Sequence, residues 1–404
     1  MMLQGKTTLN SSTIALNSKL LACALLALAL AGCRTSDFPQ YPANYREYAY
    51  VTNGGSSTVT VLDVVNVRID RELRVGLNPV AVAPSPTRNE VYVVNSGDPT
   101  GQGSLSVINA ENNTVVASIS LHKQPVAIQV DPDGTRAYIA NSGSNSISVV
   151  DLATRRETAQ IGAGEEPVAL RLSPDGKTLA VANRKGNSLS LIDPATLRLR
   201  AVFTGCPGAS DVVMLPDSSK AFASCSAGHQ IMAILLAKAA QPASPQSAAT
   251  PALPDRLEAL MDVGRGPVQL ALKPDGGELF AINALSDSIS EVITGTDDVQ
   301  GDYMMGDSPD TGLVSRDNAL LYVANFHSQN LIIYSIDDGR RAGSIQVGEG
   351  PSALAFSAAG HLLFVVDTRS GDVAVVRTAT NSLFTFLPTG RTPNAIADKA
   401  FKLQ

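Results

Sequence analysis

Residues 164–203 read GEEPVALRLSPDGKTLAVANRKGNSLSLIDPATLRLRAVF, and the fold follows from how that stretch is punctuated. Pro167 opens an alternating run, Val168 to Leu172. Ser173-Pro174-Asp175-Gly176 is a tight turn, in which Pro presets φ and Gly takes the positive φ that the reversal needs. Leu179 to Asn183 is the returning strand, Asn187 to Asp193 a third with period-two alternation, and Leu197 to Phe203 a fourth. The unit is four short antiparallel strands, named A to D here in chain order. One such sheet cannot bury both of its faces. Sheets packed side by side around an axis can, and they leave only short edges exposed.

The unit recurs along the chain. Its B strand returns as Tyr50-Val51-Thr52-Asn53, Tyr92-Val93-Val94-Asn95, Tyr138-Ile139-Ala140-Asn141, Phe280-Ala281-Ile282-Asn283 and Tyr322-Val323-Ala324-Asn325. Phe222-Ala223-Ser224-Cys225 and Phe364-Val365-Val366-Asp367 are degenerate copies. Steps between first residues are 42, 46, 42, 42, 58, 42 and 42, a period that signals a radial β-array. The turn recurs at Asp131–Gly134 and Lys273–Gly276, and a Gly-x-x-Pro opening at Gly76, Gly164, Gly264, Gly306, Gly348 and Gly390. His122 and Cys206 take the place of that Gly in the other two copies.

Eight A strands and eight B strands give the blade count. The chain enters on a B strand at Tyr50 and leaves on an A strand after Pro393, so the last A strand must complete the first blade. This predicts an all-β, eight-bladed propeller of four-stranded antiparallel blades over residues 47–404. Seven blades with a spare repeat is the alternative.

The Tyr-Val-x-Asn strand, Ser-Pro-Asp-Gly turn and Gly-x-x-Pro opening resemble the YVTN-type β-propeller repeat family from Tyr48 to about Lys399. The resemblance implies the fold. It implies little about function, because such propellers serve as binding scaffolds while relatives carry enzyme activities. Eight blades also resemble the haem-binding propeller of periplasmic nitrite reductases and their cofactor-assembly relatives.

The N-terminus carries an address. Residues 1–32 contain Lys6 and Lys19, no acid and a short apolar core from Leu20 to Leu30, the pattern of a secretory signal. It ends in Leu30-Ala31-Gly32-Cys33, which is similar to a bacterial lipobox; that likeness implies a lipidated Cys33 and a protein anchored by acyl chains. Arg34, where Asp would retain a Gram-negative lipoprotein at the inner membrane, implies the outer membrane. Residues 33–46 read as the tether. Removing residues 1–32 takes the net charge from −6 to −8, and an acidic chain without basic runs argues against nucleic acid. Residues 238–255, KAAQPASPQSAATPALPD, are the one strong composition break and read as a surface loop between strands C and D of blade 5, on the bottom face.

Cys206 and Cys225 break the repeat together in one blade, at one end of one hairpin. In an exported chain a disulfide is the natural reading, and two separate buried thiols the alternative. Simple register places Cys225 opposite Ser210.

The D-to-A and B-to-C loops share the top face, around the channel mouth. They gather His122, Arg184, His229, Arg265, Phe326, His327, Arg369 and Arg391. That set suits a small anionic or tetrapyrrole-like ligand, with Arg for carboxylates and Phe326 as a stacking platform. A solvated rim is the plain alternative. No nucleophile, base and orienting group depart from the repeat together, and the three histidines fall on blades 3, 5 and 7, too far apart for a metal. No Cys-x-x-Cys-His is present, so no covalent c-type haem is expected. The expected function is therefore a lipid-anchored scaffold that binds a periplasmic or surface protein, or a small anion, by its top face. A propeller handling a haem-like cofactor, or a redox or lactone substrate, is the alternative.

Overall fold

The computed structural model describes residues 39–237 and 253–403. They form eight four-stranded antiparallel sheets. The seven-bladed alternative is thereby excluded. Blade 1 is Arg68–Arg74, Thr58–Asp63 and Tyr45–Asn53 with Pro393–Lys402 as its A strand, so the two ends of the chain share one sheet. The other blades run A to D in sequence order; blade 5, for example, is Ala209–Met214, Lys220–Cys225, Gln230–Leu235 and Arg256–Asp262. The A strands contact one another around the axis and are innermost.

Each sheet survives as a sheet because its neighbours cover it. The aromatic residues that open the repeated motif in seven of the eight B strands, Tyr50, Tyr92, Tyr138, Phe222, Phe280, Tyr322 and Phe364, are all buried. Their rings fill the space between blades: Tyr92 and Val94 of blade 2 pack with Ile139 and Val150 of blade 3 in one cluster. Where the ring is Tyr, its hydroxyl needs a partner. Tyr50 donates to Asn113 Oδ1 of blade 2 at 2.6 Å, and Tyr322 to Asn381 Oδ1 of blade 8 at 2.7 Å. No large residue is needed at the axis, so the A strands are rich in Ala and Val.

Two boundaries differ from the sequence reading. The first strand starts at Tyr45, inside the expected tether, because Tyr45 and Arg46 extend the pairing to Lys402 and Phe401. All eight A–B hairpins also carry a bulge at the second residue of strand A. That bulge moves Cys225 opposite Ala209 instead of Ser210. Cys33 and the signal segment lie outside the described residues, as do residues 238–252 of the insert. The root of the insert is described: Asp255 accepts from Ala237 N and takes Arg200 bidentately, at 2.6 and 2.9 Å.

Candidate functional site

The top face is a ring of eight loop pairs, each tied by backbone hydrogen bonds. Ser96 N donates to Asn78 O, Arg184 N to Glu166 O, Phe326 N to Ser308 O and Gly54 N to Thr392 O. The residue before the opening Pro or Ala is left-handed in every blade: Asn78, Gln124, Glu166, Gly208, Gly266, Ser308, Gly350 and Thr392. One position earlier stands a residue whose backbone N–H is held by a serine of the B–C loop. Lys123, Arg265, Asp307, Glu349 and Arg391 are held in this way by Ser144, Ser286, Ser328, Ser370 and Ser56. The backbone is fixed and the side chain is free to vary from blade to blade.

His229 does not belong to that position. It occupies the left-handed residue before strand C, where other blades carry Asn145, Asn187 and Asp287. Those three accept from the N–H of Glu166, Gly208 and Ser308 in the following loop, at 2.9 Å each. His229 Nδ1 accepts from Gly266 N at 3.1 Å in the same way. It clamps blades 5 and 6 together through Nδ1. The steps of 42 and 58 from Asn187 to His229 to Asp287 carry this signal in the sequence.

His122 also leaves the mouth. The register of strand D in blade 2 shifts opposite Gln102, and the ring turns to strand D of blade 3, where Nε2 lies 3.2 Å from Glu157 Oε1. Arg184 and its neighbour Lys185 both face Glu166, at 3.7 and 3.1 Å. Arg265 Nη2 donates to Leu285 O. His327 Nδ1 lies 3.7 Å from Asp307, half-exposed.

What remains converges on one place. Arg369 and Arg391 line a cleft of about 600 Å³ at the top of the seam between blades 8 and 1. The Arg369 guanidinium carbon lies 4.4 Å over the Phe326 ring. One face of the Phe326 ring is therefore covered by Arg369. His327 meets the same ring edge-on at 5.4 Å. Among the described residues, neither Arg369 nor Arg391 has an ion-pair partner. Of the eight residues named from the sequence, Arg369 and Arg391 line this cleft, and Phe326 and His327 adjoin it through Arg369. The described residues contain no group of three or more His, Cys, Asp or Glu placed to hold a metal ion.

The cysteine pair is bonded, with Cα atoms 4.7 Å apart. The repeat explains the joint replacement. Elsewhere the Gly of Gly-x-x-Pro lies against the B-strand Asn: a Cβ on Gly164 would sit 2.6 Å from Asn183 Cγ, and one on Gly264 2.4 Å from Asn283 Nδ2. In blade 5 those two touching positions are Cys206 and Cys225, and the clash becomes a bond.

Residues 133–234 match the YNCE-like beta-propeller family model. No curated protein sequence matches the chain. Among solved structures, the dihydro-heme d1 dehydrogenase NirN is similar with a TM-score of 0.69 at 15% identity, over 89% of this chain and 76% of that one. Kuenenia stuttgartiensis hydrazine synthase gives 0.54 at 19% identity, over 82% and 92%. A protein from Lactobacillus plantarum gives 0.58 at 15% identity, over 88% and 99%. At these identities the likeness is one of fold.

Proposed function

We propose that this propeller is a non-enzymatic, lipid-anchored binding protein of the outer membrane, facing the periplasm or the cell surface, which takes its ligand or partner on the top face. One observation carries the reading: a ring of variable loop side chains on a fixed backbone, held by a serine in five of the eight blades. The anchor reading rests on Leu30-Ala31-Gly32-Cys33 and on Arg34. Tyr41 enters on the bottom face, beside His361 in the A–B turn of blade 8. The partner is a periplasmic or surface protein or a small anion. The haem-like alternative draws its support from the likeness to the NirN fold, but His122 and His229 are already engaged by Glu157 and Gly266.

Two measurements test this. Cys33→Ala is expected to abolish acyl labelling and release the protein from membranes; unchanged labelling would remove the anchor. Affinity capture from envelope extracts then compares Arg265→Ala/Arg369→Ala on the top face with deletion of residues 239–252 on the bottom. Loss of the recovered ligand or partner with the top-face change alone is expected. Loss with the bottom-face change alone would overturn the assignment, and a visible absorption band in the purified protein would favour the cofactor alternative.

A further inference from the structure

We propose that the seam cleft between blades 8 and 1 is an oxyanion site, taking a small organic anion with a phosphate or polycarboxylate head between Arg369 and Arg391. The inference rests on the top-face reading above and names the chemistry of its ligand.

Three features of the cleft lead there. The first is charge. The mature chain is acidic, yet no carboxylate lines this cleft. Three clefts on the bottom face differ. The largest, about 650 Å³ between blades 4 and 5, holds Asp175, Asp193 and Asp217 beside Lys177 and Arg200; the other two carry Asp131 and Asp133, and Asp317. The cations there have acids within their own cleft. Those at the seam do not, and an unpaired pair of guanidiniums beside one cavity is a standing demand for an anion.

The second feature is how Arg369 is held. Stacking on an aromatic face fixes the plane of a guanidinium while leaving its N–H edges free. Phe326 belongs to blade 7 and Arg369 to blade 8, so the stack bridges blades and sets the fork before any ligand arrives. Gly350, with φ of 67°, makes room for it: a Cβ there would meet Arg369 Cγ at 2.9 Å and Phe326 Cε2 at 3.1 Å. The cradle is built around that one side chain.

The third feature is that the hydroxyls of the wall already have work. Thr368 Oγ1 donates to Pro393 O at 2.7 Å, Thr389 Oγ1 to Gly390 O and Thr392 Oγ1 to Arg391 O, while Ser56 Oγ accepts from Arg391 N. These bonds stiffen the cleft and hold the backbone of Arg391. The two arginines are left as the charged donors for a ligand. A planar fork matches the paired oxygens of carboxylate or phosphate, and two forks favour a head with more than one negative charge.

The test titrates the full mature chain with inorganic phosphate and, separately, with citrate, at constant ionic strength adjusted with chloride, by calorimetry and thermal shift. Saturable binding of at least one is expected: phosphate alone assigns a phosphate ester, citrate alone a polycarboxylate. Arg369→Ala and Arg391→Ala should each weaken it at least tenfold. Arg369→Lys, which keeps the charge and loses the fork, should weaken it about fivefold, Gly350→Ala about as much, and Arg184→Ala less than twofold. All three arginine sites are on the surface, and unliganded melting within about 2–3 °C of the parent confirms intact folding. No binding of either anion, or binding indifferent to Arg369 and Arg391, overturns the proposal. If captured partners still depend on Arg265 while neither anion binds, the top-face reading survives and this inference alone falls.

Discussion

The Asn that ends most B strands couples strands within a blade. In blades 1, 4 and 6 its Nδ2 reaches two hydroxyls on strand C, five and seven residues on: Thr58 and Thr60 from Asn53, Ser188 and Ser190 from Asn183, Ser288 and Ser290 from Asn283, at 2.8–3.3 Å. Blade 8 carries Asp367 instead, paired with Asp372, and the residues five and seven on, Asp372 and Ala374, offer no hydroxyl. Burial raises the Asp367 carboxyl to about 8, with the nearby Asp372 adding to it against a hydrogen bond from Gly348 N. The buried acid therefore holds a proton at neutral pH, while in the unfolded chain it ionises near 4. Unfolding releases that proton, so the contribution of Asp367 is intact at and below pH 4 and is lost as pH rises toward 8. Asp367→Asn restores the repeat residue without the charge. It should raise stability by about 1–3 kcal/mol at pH 8, with the gain shrinking toward pH 4. Melting curves at pH 5 and pH 8 check it, and a variant no more stable at pH 8 refutes it. At this scale the sequence showed which residues stood on the top face, since loop position follows from the repeat. It did not show which were already spoken for. His229 was legible by register with Asn187, whereas the Glu157 partner of His122 lies 35 residues away on another blade's outer strand, where no spacing rule points.

Strands were legible because their boundaries are written in residues with fixed backbone habits: Pro at the start of A, Pro-Asp-Gly between A and B, Asn at the end of B. The bulge at the second residue of every A strand was not, because Val80, Ser210, Asp310 and Asn394 share no property that marks it. A bulge there turns each side chain toward the next blade. Ser210 Oγ donates to Pro267 O at 3.1 Å, and Asn394 Nδ2 to Pro79 O at 3.0 Å. The clasp strand Pro393–Lys402 carries the heaviest duty of any A strand. It pairs along Tyr45–Asn53, and Lys399 Nζ reaches Ser85 O in blade 2. Deleting residues 390–404 strips blade 1 of its inner strand and leaves an unpaired edge. The expected outcome is a melting temperature lower by at least about 10 °C and concentration-dependent aggregation. An unchanged melting curve would show that the ring does not depend on this clasp. Against that, the Cys206–Cys225 bond closes only a short loop, worth roughly 3 kcal/mol in the chain-entropy model.

At the scale of the whole ring, the seam between blades 8 and 1 is where closure is decided, and its bottom end holds a proton. Asp398, on the clasp strand, is raised to about 9 by burial and by the neighbouring Glu47. Glu47 is buried, accepts from Ala358 N of blade 8 at 2.7 Å and from the Tyr45 hydroxyl at 2.5 Å, and so ties three parts of the seam. Tyr41 stacks on Tyr45 at 4.4 Å and closes the cluster from outside, with His361 beside it and Arg316 as the cation that opposes the rise. Burial lowers His361, so it adds no charge to hold Asp398 ionised at neutral pH. The sign is that of Asp367: a carboxyl with a raised folded value favours folding fully below pH 4, and that advantage drains away up to about pH 9. While one proton is being released on unfolding, stability falls by about 1.4 kcal/mol per pH unit. Burial also raises Asp211, Glu291, Asp297 and Asp310, the last to about 6, so the comparison is made in an Asp367→Asn background by denaturant titrations between pH 7 and 9, with and without a change at Asp398. Asp398→Asn, which keeps a hydrogen-bond donor for Glu47 and removes the ionisation, should flatten the slope without lowering stability at pH 8. If the slope is as steep in the double variant as in Asp367→Asn alone, Asp398 is not the group that gives up the proton, and the seam is not what makes the ring sensitive to alkali.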